Sequence, residues 1–223
     1  LDVIDTEGIF ADRGSILSEH PIDEEALGVM AEHIAAHVEA TGHVPTDRLM
    51  TLERREDAIV INSCHGSRIN EGLGHYLMAM ASTKTGKWGR LLVEPTRIAL
   101  QTGAVEPEEI LDWLMTTPPD AIEGVLSVTL PNSRQVRWRF AQVAKTFGIL
   151  RHGVDPRKIN LQALLRKYRG TVVMEEVLSK LFHERMDVIG VRDVLRSIQN
   201  GNIQLKITAS GPIGLSNHSS RDM

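Results

Sequence analysis

Residues 133–147 combine basic side chains with a tryptophan in a pattern suited to binding nucleic acid. On a helix of about 100° per residue, one apolar arc would hold Val136, Phe140, Val143, Ala144 and Phe147. Trp138 would lie almost opposite that arc, with Arg134, Gln142 and Lys145 around it. Stacking of one base on an aromatic ring contributes about 1–3 kcal/mol, and neighbouring cations hold the phosphates. The open alternative is that Trp138 anchors a contact with another protein surface.

Charge is unevenly distributed along the chain. The net charge is −4, yet residues 131–170 hold ten basic side chains and one acidic, whereas residues 1–130 hold 9 basic and 22 acidic. This separation favours attraction to a polyanion, although an internal contact with the acidic part would also explain it. The candidate nucleic-acid contacts are Arg134, Arg137, Trp138, Arg139, Gln142, Lys145, Arg166, Lys167 and Arg169. For the group at 166–169, a solvated helix end is an equal alternative.

A second candidate is the turn that leads from a predicted strand into a helix. The backbone amides there could contact a phosphate at the helix N-terminus. The possible phosphate contacts are therefore Gly66, Ser67 and Arg68. A purely structural turn is the alternative.

Other candidate chemistry is weak. His33 and His37 have the i, i+4 spacing of metal ligands, but the string between them lacks the Glu of the zinc protease motif, so we expect solvated side chains and no metal. Cys64 and His65 are adjacent, and neighbours on a strand point to opposite faces, so they should not act as a pair. We expect Cys64 to be a small buried residue.

The sequence lacks the phosphate loop of an ATP-hydrolysing motor. Its nearest match is Thr85-Gly86-Lys87-Trp88, in which Trp88 cannot supply the hydroxyl that binds magnesium. We therefore expect no enzymatic activity and no cofactor in this chain alone.

Composition is that of a soluble globular protein, with 42% hydrophobic and 24% charged residues in 223. The single cysteine excludes an internal disulfide and fits a reducing cytoplasm. No apolar run approaches the roughly 18 residues of a membrane helix, so we expect no membrane association. The chain begins at Leu1 rather than Met, which favours a piece of a longer protein, although a processed chain would begin in the same way.

Periodicity predicts an α+β fold with about eight helices and a small, mostly antiparallel sheet. The strands are expected near 48–53, 58–64, 91–94, 97–101 and 203–207. Strand 58–64 should be central, and 203–207 should return to the N-terminal sheet, because a lone strand needs a partner. The first helix follows Pro21, and its predicted buried stripe is Ala26, Met30, Ile34 and Val38. A helix after Ser67 should bury Ile69, Leu73, Tyr76, Leu77 and Met80.

The rest of the chain is predicted to be mainly helical. The expected helices are 108–115, 121–128, 133–147, 161–169, 173–185 and 188–199. We expect one accessory domain over 1–208, made of a sheet-rich part (1–105), a helical part (106–201) and the returning strand (203–207). Residues 209–223 should form a flexible tail.

Four strings, in this order, resemble the DEAD/H-associated domain of large helicase-related (Lhr) proteins from about residue 25 to residue 208. The first is Gly42-His43-Val44-Pro45-Thr46-Asp47, followed by Glu53, and the second is His65-Gly66-Ser67-Arg68-Ile69-Asn70. The third is Arg139-Phe140-Ala141-Gln142-Val143-Ala144, followed by Phe147-Gly148-Ile149-Leu150. The fourth runs from Glu175-Glu176 through Met186-Asp187-Val188 to Ile198-Gln199-Asn200-Gly201-Asn202-Ile203.

The resemblance implies a parent protein in which two RecA-like motor domains and a winged helix precede this C-terminal domain. Such a parent is an ATP-dependent superfamily 2 helicase that binds ATP and Mg in its motor, moves 3′ to 5′ on single-stranded DNA and acts in DNA repair. Expected partners are single-stranded or forked DNA, or an RNA:DNA hybrid, together with the upstream domains. The alternative is a docking module that binds the motor or a partner protein and touches no nucleic acid.

Overall fold

The computed structural model describes residues 17–19, 21–132, 134–150 and 160–210, without the side chains of residues 132, 134 and 135. Its helices are α1 (Glu24–Thr41), α2 (Ser67–Thr85), α3 (Pro107–Thr116), α4 (Ile122–Thr129), α5 (Arg134–Thr146), α6 (Leu161–Lys167), α7 (Val172–Arg185) and α8 (Val188–Gln199). Its strands are β1 (Leu49–Arg54), β2 (Ile59–Asn62), β3 (Arg90–Glu94), β4 (Arg97–Gln101) and β5 (Gln204–Thr208). The predicted α+β class and the mainly helical C-terminal half are confirmed.

The strands form one five-stranded sheet in the order β3-β4-β2-β1-β5. The pairs β3–β4, β4–β2 and β2–β1 are antiparallel, and β1–β5 is parallel, with Met50 opposite Leu205. The apolar strand β2 is central and fully buried. Both the central position of β2 and the return of the last strand to the N-terminal sheet are therefore confirmed.

Helix α2 packs on one face of the sheet and lies at the centre of the molecule. Leu73, Tyr76 and Leu77 of the predicted stripe have no exposed surface, and Ile69 and Met80 are half-buried. Ala79 and Ala81, outside the stripe, are also buried, because neighbouring elements cover more than one side of the helix. A helix covered in this way holds the sheet and the surrounding helices to a common core.

Helix α8 approaches α2 closely at two glycines. A β-carbon on Gly72 would lie 2.8 Å from Cγ2 of Val191, and one on Gly190 would lie 2.8 Å from Cδ1 of Ile69. Side chains of ordinary size at these positions would force the helices apart.

The side-chain amide of Asn70 joins α2 to the sheet. Asn70 has no exposed surface; its Nδ2 donates to the carbonyls of Ser63 (2.8 Å), Glu94 (3.0 Å) and Pro95 (3.0 Å). Its Oδ1 accepts from Oγ of Ser63 at 2.8 Å. These bonds join the first turn of α2 to the end of β2 and to the β3–β4 turn, and they satisfy a buried amide completely.

The second face of the sheet is polar. Glu53 is 1% exposed, and its carboxylate accepts from Nδ2 of Asn62 at 2.5 Å and from the guanidinium of Arg55 at 3.0 Å. The charges of Glu53, Arg55 and Arg97 act on the imidazole of His37, which places this residue of α1 near that face.

The predicted buried stripe of α1 is wrong. Ala26 and Met30 are exposed, Ile34 and Val38 are only half-buried, and the fully buried side chains of α1 are Leu27 and His37. His33 is exposed as predicted, whereas the prediction of a solvated His37 is wrong. Two of the eighteen residues of α1 are buried, so little of the helix is covered and apolar positions such as Met30 remain exposed.

The other predicted helix and strand boundaries agree with the structure to within a few residues.

No helix within residues 17–19, 21–132, 134–150 and 160–210 is long and apolar enough to cross a membrane. Within the predicted tail, Oγ of Ser210 donates to the carbonyl of Arg54 at 2.5 Å. Residues 211–223 of that tail lie outside the described residues.

We predict that Asn70→Ala lowers the free energy of unfolding by about 2–4 kcal/mol, because it removes the hydrogen bonds that a fully buried amide makes to Ser63 and to the β3–β4 turn. Asn70→Asp should destabilise more, because an oxygen then faces three carbonyl oxygens. Denaturant unfolding measures both. Asn202→Ala, at an exposed asparagine, is the control and should be nearly silent; an equally small effect at Asn70 would contradict the prediction.

We also predict an acid-sensitive contribution from His37. Burial, mainly, holds the pKa of His37 below its usual 6.5, with Glu53 opposing and Arg55 and Arg97 reinforcing the shift. The folded protein therefore disfavours the protonated imidazole, so the stability is present above pH 6.5 and is lost as the pH falls below it. The slope is at most about 1.4 kcal/mol per pH unit for one proton.

Unfolding of His37→Gln, measured across this pH range, should show a shallower acid dependence than the wild type. His33→Gln, one turn earlier on the same helix and exposed, should keep the wild-type dependence. Identical acid profiles for all three proteins would rule out the assignment.

Candidate nucleic-acid interface

Helix α5 presents two different faces. The face toward the core carries Val136, Phe140, Val143 and Ala144, all buried as predicted. It packs against α7, and the ring of Phe140 lies 6.0 Å from that of Tyr168, centroid to centroid. The prediction that Phe147 belongs to this buried arc is wrong. Phe147 is 48% exposed, because α5 ends at Thr146 and Phe147 lies past its last turn.

Trp138 lies on the solvent face of α5 and is 62% exposed, as its helical position predicts. The guanidinium carbon of Arg139 lies 5.5 Å from the centre of the indole ring, within the range of a cation–π contact. Arg139 also forms an ion pair with Glu184 near the end of α7. The side chain of Arg139 is only 15% exposed and lies on one side of the indole. Much of Trp138 remains accessible to solvent.

The remaining candidates on α5 differ in position. Gln142 is exposed, and its Oε1 lies 3.5 Å from NH1 of Arg139. Lys145 is half-buried in the last turn. The backbone of Arg134 begins the helix, but its side chain lies outside the described part of the structure. Besides Arg139, the side chains that could assist Trp138 on this helix are therefore Lys145 and Gln142.

Three arginines from the two predicted basic groups line one pocket. Arg137 comes from α5, Arg166 from the last turn of α6, and Arg169 from the turn that follows α6. The pocket has a volume of about 280 Å³, and its walls are completed by Pro131, Gln162 and Leu165. No carboxylate is among these described lining residues. All three arginines were predicted from the sequence as nucleic-acid contacts. Their shared pocket was not predicted, because it depends on the packing of α6 beside α5.

Lys167, the remaining candidate of the second group, points elsewhere. It is exposed, and its Nζ lies 5.7 Å from the centre of the Tyr168 ring. Lys167 is not among the residues that line the arginine pocket.

The turn at residues 66–68 is tied to its surroundings. The amide of Gly66 donates to the carbonyl of Pro95 at 3.0 Å. NH2 of Arg68 donates to the carbonyl of His183 at 2.8 Å, at the end of α7. Ser67 is exposed at the first position of α2. Gly66 has a φ of 83°, in the region that favours glycine, so the motif has a clear structural role.

Cys64 is exposed, which corrects the prediction of a buried residue. It follows the end of β2, and its Sγ lies 3.6 Å from the carbonyl of Pro45. Partial burial of the thiol and the nearby Asp47 carboxylate raise the pKa of Cys64, whereas burial lowers that of His65. A thiol with a raised pKa is a poor nucleophile. Among the side chains that the structure describes, no three His, Cys, Asp or Glu residues are grouped to hold a metal.

Comparison with known proteins decides the family. The family model described as DEAD/H associated matches residues 44–213, most of the chain. The chain belongs to the DEAD/H-associated family. This confirms the family that the four sequence strings predicted. The match begins after α1, so the family's part of the chain starts just before the sheet.

Two relatives contain a region similar to this DEAD/H-associated domain. The ATP-dependent helicase Lhr-Core of Saccharolobus solfataricus is 22% identical over 219 residues, which cover 90% of this chain and 25% of the helicase. The solved structure of the Mycobacterium smegmatis helicase Lhr bound to ssDNA and AMP-PNP superposes with a TM-score of 0.73 and 16% identity, over 94% of this chain and 28% of that one. The chain thus spans about a quarter of the length of each relative.

Proposed function

We propose that this chain is the C-terminal accessory domain of an ATP-dependent superfamily 2 DNA helicase and that it binds single-stranded DNA through the exposed surface of α5. ATP and Mg would bind in RecA-like motor domains upstream, with a winged helix between the motor and this domain. The proposed parent moves 3′ to 5′ and acts in DNA repair in the cytoplasm, on single-stranded or forked DNA or on an RNA:DNA hybrid.

The family supports the helicase setting. Both similar proteins are helicases about four times longer than the region that they share with this chain, and one of them was solved with ssDNA and AMP-PNP. A domain that is present in such proteins without a phosphate loop of its own fits a role in gripping the strand while another part of the protein hydrolyses ATP.

The observation that carries the proposal is the accessible indole of Trp138. Trp138 is 62% exposed on a helix whose opposite face is fully buried, so the packing of the domain's own core does not explain its position. Arg139 holds the ring from one side. A base can stack on the side that Arg139 leaves open, and Lys145 is close enough along the helix to attract the adjoining phosphates.

A second function, docking of a protein surface, is favoured by a different region. Val128, Val172 and Ile189 are exposed by 71%, 68% and 69%. Ile189 also lines an apolar groove of about 560 Å³ together with Leu178, Phe182 and Met186. Exposed apolar side chains beside a groove are typical of contact with another protein or domain. Such docking is compatible with strand binding on α5.

For the proposed stacking, Trp138→Ala should weaken binding of oligo-dT by about 1–3 kcal/mol and leave the unfolding midpoint unchanged. Titration with oligo-dT should quench tryptophan fluorescence of the wild type, because a stacked base contacts the indole directly. The chain has three tryptophans, so the quenching signal must be assigned to one of them.

Trp88→Phe is the matched control, because Trp88 is also partly exposed, at 37%, and lies before β3. Quenching should survive in this variant and disappear in Trp138→Ala. If oligo-dT does not bind even at low salt, and Trp138→Ala in a longer helicase chain loosens domain docking at every salt concentration, the docking function replaces the strand-binding one.

A further inference from the structure

We propose that Arg137, Arg166 and Arg169 form a pocket for one phosphate of a nucleic-acid strand, next to the nucleotide whose base stacks on Trp138. This inference rests on the proposed strand-binding function and gives it a defined phosphate contact. The three side chains come from α5, from α6 and from the turn after α6, and they line one hollow of about 280 Å³.

The chemistry of the lining favours an oxyanion. Guanidinium groups bind phosphate oxygens through paired N–H donors, and the amide of Gln162 adds a further possible donor to the wall. Pro131 and Leu165 complete the pocket with apolar surface. Apolar walls lower the local dielectric constant, which strengthens the attraction between a bound phosphate and the arginines.

The arginines at this pocket can be compared with those that carry carboxylate partners. Among the residues that the structure describes, ion pairs with carboxylates are formed by Arg54, Arg55, Arg97, Arg139, Arg192 and Arg196. Within the described residues, Arg137 and Arg166 form no such pair, although they line the same pocket. Like charges that share a pocket repel one another, so an anion that enters it relieves the repulsion.

The position of the pocket favours an internal phosphodiester over a free phosphate. Arg137 immediately precedes Trp138 on α5, so the two side chains leave the helix about 100° apart and one step along its axis. A strand that stacks one base on Trp138 therefore brings a neighbouring backbone phosphate to the mouth of the pocket. The base and the phosphate are held on adjacent sides of one helix.

The test measures binding of oligo-dT to the 223-residue chain as a function of salt. For a single strand, each neutralised phosphate contributes about 0.7 to the slope of log affinity against log salt. Arg137→Gln and Arg166→Gln should each lower the slope. Because both arginines hold the same phosphate, the double variant should lower it by about 0.7 in total, and not by about 1.4. Arg90→Gln, at an exposed arginine on the edge strand β3, should not change the slope.

Two further measurements separate folding and ligand source from strand binding. Without nucleic acid, the double variant should melt at the wild-type temperature or above it, because repulsion is relieved. A 5′-phosphorylated oligo-dT should bind no better than the 5′-hydroxyl form, since the pocket takes an internal phosphate.

The outcomes distinguish this inference from the function on which it rests. If oligo-dT quenches Trp138 and the double variant keeps the wild-type slope, the pocket assignment is wrong and the strand-binding function stands. A slope change near 1.4 would mean two separate phosphates and would overturn the shared pocket. Tighter binding of the 5′-phosphorylated form, or a melting temperature raised by inorganic phosphate without any slope change, would assign the pocket to a free phosphate. If the wild type binds no oligo-dT, both proposals fail.

Discussion

A single buried amide, that of Asn70, determines how the central helix meets the sheet. Its Nδ2 donates to three carbonyls, and its Oδ1 accepts from Oγ of Ser63, where β2 ends and the β3–β4 turn begins. Strand ends leave carbonyls that require donors once they are buried. Because one side chain bonds to carbonyls in both places, the first turn of α2 is fixed against two separate parts of the sheet.

The candidate interface depends on this arrangement through α7 and α8. Glycines at positions 72 and 190 bring α8 close to α2, and the guanidinium of Arg68, at the start of α2, holds the end of α7 through the carbonyl of His183. The same end of α7 carries Glu184, which pairs with Arg139 beneath Trp138. A chain of short contacts therefore runs from the sheet to the indole, and the supporting arginine is fixed by packing and not by solvent-exposed side chains alone.

The sequence predicted the helices and strands well because most of them have one apolar side and one polar side, a pattern that periodicity reports directly. It predicted the exposure of Trp138 for the same reason. It failed at α1, where apolar positions such as Met30 are exposed while His37 is buried near the charges of Glu53, Arg55 and Arg97. It also could not show that Arg137 and Arg166 share a pocket. Such meetings depend on tertiary packing between elements that are distant along the chain, and one sequence carries no periodic signal of them.

The parallel pairing of β1 with β5 also sets an order of events during synthesis. Residues 49–54 leave the ribosome on the order of ten seconds before residues 204–208, at about 5–20 residues per second. During that interval β1 has an unpaired edge, which is a template for strands of other chains. The charged residues Glu53, Arg54 and Arg55 at the end of β1 oppose such pairing. These charges protect only one end of the strand, so any product that ends before Gln204 would keep the rest of this edge permanently open to other strands.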